Sequence, residues 1–65
     1  MKEKSYIVTS CTINNEKRYV LYKKTKLCWY SVLVASSPEE LIIMIDLNGY
    51  DRSEIKFCDE LKEYA

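Results

Sequence analysis

The chain has no histidine, a single glycine, a single proline, and no apolar run longer than Leu41–Ile45. Each shortage excludes something. Without histidine the commonest general base is missing. One glycine, Gly49, cannot build a glycine-rich phosphate loop. A five-residue apolar run is far too short to span a bilayer as a helix. Cysteine is scarce and odd in number: Cys11, Cys28 and Cys58 lie far apart with no C-x-x-C pair. The usual structural zinc sets cannot be assembled from them within one chain. Small secreted domains normally carry an even disulfide set, so reduced thiols acting as small hydrophobes are expected. The start, MKEKSYIVTSC, is charged and has no long apolar segment, so no signal peptide and a cytoplasmic setting are expected.

What remains is compact and sticky. Sixty-five residues, 48% of them hydrophobic, bound one domain near the lower size limit for folding without staples. Six Tyr, one Trp and one Phe supply large buried areas. The core is feasible but thin, which favours self-association. Net charge is zero, yet the halves differ. Residues 1–35 hold seven Lys/Arg against two Glu, and residues 36–65 hold three Lys/Arg against eight Asp/Glu. A basic half and an acidic half can attract within a chain or between chains, which bears more on orientation and association rate than on stability.

Three strands are expected first. YIVTSCTI, Tyr6 to Ile13, is rich in β-branched residues. Asn14-Asn15-Glu16-Lys17 supplies a turn, since Asn tolerates a left-handed backbone. Arg18 to Lys23 forms the second strand and Lys24-Thr25-Lys26 the next turn. Leu27 to Ala35 is the third and most apolar strand. Neither of its faces is polar, which is the composition of a central or doubly covered strand. Ser37, Pro38 and Glu40 then open a helix as N-cap, N1 and N3 of a capping box, and Gly49 closes it. Leu41, Ile42, Ile43, Met44, Ile45 and Leu47 surround much of its axis, more than one sheet face needs.

The last segment has two readings. Asp51-Arg52-Ser53-Glu54 can cap a second helix, with Phe57, Cys58, Leu61, Tyr64 and Ala65 at helical spacing; propensity favours this. Alternatively Ile55 and Phe57 belong to a short edge strand. The expected fold is therefore α+β: a three-stranded antiparallel meander followed by a helix packed on one face, then a C-terminal helix or short fourth strand.

The stretch KRYVLYKKTKLCWY alternates cations with aromatics. Lys17, Arg18, Lys23, Lys24 and Lys26 beside Tyr19, Tyr22, Trp29 and Tyr30 resemble the basic rim and stacking platform of single-strand binders. Strands and turns favour the same residues without any ligand, and a neutral chain is unusual for a dedicated nucleic-acid binder. An even-numbered loop between strands two and three places Tyr22 with Trp29 on one face and Tyr19 with Tyr30 on the other. The aromatics are then not gathered on one platform. No activating neighbour for a cysteine nucleophile can be placed. Asp51, Asp59, Glu60 and Glu63 fit a solvated face better than a calcium loop.

The expectation is a non-enzymatic interaction or regulatory factor, accessory or inhibitory, of a size that phages and mobile elements also carry. It would dock onto itself or another protein through Tyr19, Tyr22, Trp29, Tyr30, Ile42, Ile43 and Leu47. Nucleic-acid binding through the five cations is the alternative. No cofactor, metal, membrane or small-molecule substrate is expected.

Overall fold

The computed structural model describes residues 4–64. Its order is β1 (Tyr6–Ile13), β2 (Glu16–Lys24), β3 (Trp29–Ala35), α1 (Pro38–Leu47), a 3₁₀ turn (Arg52–Glu54), β4 (Ile55–Phe57) and a second 3₁₀ segment (Asp59–Tyr64). The sheet runs β3-β2-β1-β4, antiparallel across the meander and parallel between β1 and β4. This is the α+β architecture expected, with a helix on one face and an open sheet.

The first hairpin is tighter than the expected four-residue turn. Asn14 and Asn15 both take positive φ, 52° and 63°. Two successive left-handed residues make a two-residue loop whose twist matches the strands. Glu16 therefore pairs with Ile13, and β2 gains residues at both ends. The second loop delays β3: the Thr25 side chain accepts from Cys28 N at 3.1 Å and donates to Cys28 O at 2.7 Å. That closed turn leaves Leu27 and Cys28 outside the strand.

Register assigns the faces. Val8, Leu21, Leu33, Ala35, Ile55 and Phe57 point to the helix layer, where Leu41, Ile42 and Ile45 meet them. A bulge makes this possible in β3. Leu21 pairs with Leu33 but Tyr22 pairs with Ser31, so Val32 is an extra residue. The insertion inverts the alternation, bringing Leu33 to the core and sending Val34 to the other face.

The helix starts as its caps dictate. Ser37 Oγ accepts from Glu40 N at 3.2 Å, and the Glu40 carboxylate accepts from Ser36 Oγ at 3.0 Å. Gly49, at φ +77°, ends it. After the helix the structure takes the strand option and not the long second helix. Ile55 and Phe57 are buried on alternate positions of β4, and Cys58, Leu61 and Tyr64 recur every third residue. A spacing of three lines one side of a 3₁₀ helix, and Leu61 is sealed in the core while the other two flank it. Ala65 lies outside the described residues.

Candidate docking surface

Because α1 covers one face of the sheet, the other is left to solvent. Ile7, Cys11, Ile13, Val20, Tyr22, Trp29 and Val34 share that uncovered face by register. Val20 sits at its centre between Thr9 and Val34 and is 2% accessible, yet it belongs to no part of the helix-side core. Trp29 is 50% exposed, and Ile13 and Val34 are similar. The Tyr22 and Trp29 rings lie 6.0 Å apart, tilted by 48°. This face buries one apolar side chain and exposes three more, Ile13, Trp29 and Val34.

The four sheet aromatics divide as the even-numbered loop requires. Tyr22 and Trp29 stand on the uncovered face. Tyr19 is half-buried against the core on the helix side, with the Lys17 ammonium 5.6 Å from its ring centroid. Tyr30, opposite Lys23, is exposed on the helix side, and its phenol is held above the ordinary range, chiefly by a hydrogen bond with Cys28 and then by partial burial.

The helix positions separate too. Ile42 is 8% exposed and part of the core, so it is not a spare position. Five hydrophobic residues in a row cannot all share one face of a helix; Leu41, Ile42 and Ile45 fill the stripe that meets the sheet. Ile43 and Leu47 are 59% and 81% exposed, but they belong to the layer opposite Trp29. The structure does not bring them to the sheet patch.

The cations form no continuous row. Lys17 is ion-paired with Glu60, and Arg18 with Glu16. Glu60 also accepts from Ser10 Oγ at 3.2 Å. The Lys17 hydrogen bond, with Ser10 behind it, holds the Glu60 carboxyl below its usual range, and the same contact raises Lys17. This pair is the one described bridge between the basic and acidic halves of the sequence. Lys24 and Lys26, joined by Lys4, line a shallow open basin of about 430 Å³ with Ser5 and Thr25. Lys4 was not among the sequence candidates; only the alignment of β1 with β2, which bonds Lys24 N to Ser5 O at 2.8 Å, places it there. Lys23 is exposed one residue earlier.

At the opposite end stand the acidic groups Glu39 and Glu40 of α1 and Asp59, Glu60 and Glu63. Tyr64 donates to Glu39 at 3.1 Å and fixes the last segment there. Among the described residues no three Cys, Asp or Glu side chains are placed to hold a metal ion, and the three cysteines are free thiols. No helix among them is long and apolar enough to cross a membrane.

Comparison with family models, curated proteins and solved structures returns no match.

Proposed function

We propose that the chain is a non-enzymatic interaction factor that regulates by docking onto a protein, itself included, through its uncovered sheet face. The observation that supports this is the apolar patch centred on Val20, with Tyr22 and Trp29 as aromatic anchors. Such residues, packed at the centre of a patch, carry most of the energy of an interface. An accessory or inhibitory role suits a small domain that offers an exposed apolar surface. The test is a capture from the native host with the wild-type chain and with a Tyr22→Ser/Trp29→Ser variant shown to fold by circular dichroism. Partners of the wild type should be lost by the variant; equal recovery at equal levels would remove the patch from the mechanism.

The lysine-lined basin favours a second reading, nucleic-acid binding through Lys23, Lys24 and Lys26 with Lys4. Ion pairing of Lys17 and Arg18 weakens the row on which it first rested. Phosphate contacts demand a steep loss of oligonucleotide affinity as salt rises. A flat salt response, or retention that survives neutral substitution of Lys23, Lys24 and Lys26 together, removes it.

A further inference from the structure

β3 has the composition of a central strand and the position of an edge strand. WYSVLVA carries no charge, proline or glycine over seven residues, yet only β2 pairs with it. Edges are normally blunted by charge, proline, shortness or a cover. The far edge obeys that rule: β4 has three residues, presents Lys56, and is flanked by 3₁₀ turns. β3 carries no charge or proline and runs seven residues; its one edge device is the bulge at Val32.

We propose that β3 is completed by β3 of a second copy of this chain, antiparallel across a two-fold axis. The two four-stranded sheets join into one of eight. This goes beyond the docking reading above: the contact is the backbone edge of β3, beside the uncovered face.

Three observations select a second copy. First, the outward backbone is available. The two-residue loop makes Ile13 and Glu16 a hydrogen-bonded pair, and alternation then turns even-numbered β2 amides to β1 and odd-numbered ones to β3. The bonds Lys24 N to Ser5 O and Cys58 N to Val8 O follow this phase. In β3 it aims Leu33 and Ala35, opposite Leu21 and Tyr19, at β2, and leaves the N–H and C=O of Val34 pointing out of the sheet. Second, a two-fold axis sets a strand against itself, and an uncharged strand meets no like charge when it does. Third, the charges at its two ends are complementary. Lys24 and Lys26 stand at its start; Glu39 and Glu40 follow its end. Antiparallel pairing lays the basic end of each copy beside the acidic end of the other, twice. Parallel pairing would oppose like ends. The segregated charge of the sequence thereby favours the antiparallel orientation.

The test is amide hydrogen exchange on the wild-type chain from low micromolar to millimolar concentration, with sedimentation on the same samples. A dimer should form, and Val34 N–H should slow by about tenfold or more as it does. Leu33 and Ala35 amides should be protected throughout. Val34→Pro deletes the outward donor without removing a β2 bond, and should weaken dimerisation by a similar factor. A strict monomer, or a dimer whose Val34 amide exchanges at the same rate at both extremes, overturns the proposal. A monomer whose Val34 amide is protected only by a captured partner also overturns the second copy, while leaving the docking reading standing. That reading is lost separately, if Tyr22→Ser/Trp29→Ser leaves all association unchanged.

Discussion

Leu61→Ala measures what holds the Asp59–Tyr64 segment in place. Leu61 is 2% exposed, and in its segment it is the one buried residue. The substitution removes three carbons from the core, about 2.4 kcal/mol at ~0.8 kcal/mol per buried CH₂. The cavity left behind raises the cost towards the upper part of the usual range of about 2–5 kcal/mol. Relaxation limits the rise: the segment ends at the surface and can settle inward, so roughly 2.5–3.5 kcal/mol is expected. Total stability for a chain of this size is about 3–10 kcal/mol, so the change takes a large share of it. Urea unfolding followed by circular dichroism reads this directly. With a slope of about 1 kcal/mol per M, the midpoint should fall by roughly 2.5–3.5 M, or the variant should unfold outright. A fall under about 0.5 M would refute the reasoning, because Leu61 would then not be part of the folded core in solution.

Other substitutions separate local contributions. Ser37→Ala removes the acceptor of Glu40 N and should cost about 1 kcal/mol in the same urea assay. Asn14→Ala keeps the β-carbon but removes the polar side chain that makes the left-handed conformation at φ 52° tolerable, and should cost up to about 1 kcal/mol. Arg52 donates to both carboxylate oxygens of Asp46, at 3.1 and 2.6 Å, and to Tyr64 O at 3.2 Å. Its hydrogen bonds hold the Asp46 carboxyl below its ordinary range. A folded value below the unfolded one means the contribution is complete above the unfolded pKa, about 3.9, and is lost as pH falls through the folded value. Arg52→Gln should return Asp46 to the ordinary carboxylate range in a carbon-detected titration and flatten the acid arm of the stability profile.

Legibility in the sequence followed the length and regularity of each signal. β1 was readable to the residue, because eight residues bounded by an Asn pair leave little choice of register. The capping residues Ser37, Pro38 and Glu40 fixed the start of α1. The division of Tyr19, Tyr22, Trp29 and Tyr30 between two faces needed only the parity of a loop. Ile42 was misjudged as spare because a run of apolar residues hides which three point inward. β4 was ambiguous because three residues give one alternation, and because the propensity of DELKEY is overruled by the burial of Ile55, Phe57 and Leu61. The placement of β3 at an edge was hidden for a different reason. Its composition describes a strand with two neighbours, and one chain provides only one.

Trp29 is the single tryptophan of the sequence and stands half-exposed on the uncovered face, so its quenching by acrylamide reports that face where it meets the β3 edge. If the sheet patch is the docking surface, quenching falls and emission shifts to the blue as association proceeds, whether with rising protein concentration or on addition of a captured partner. Association that leaves both unchanged would contradict it.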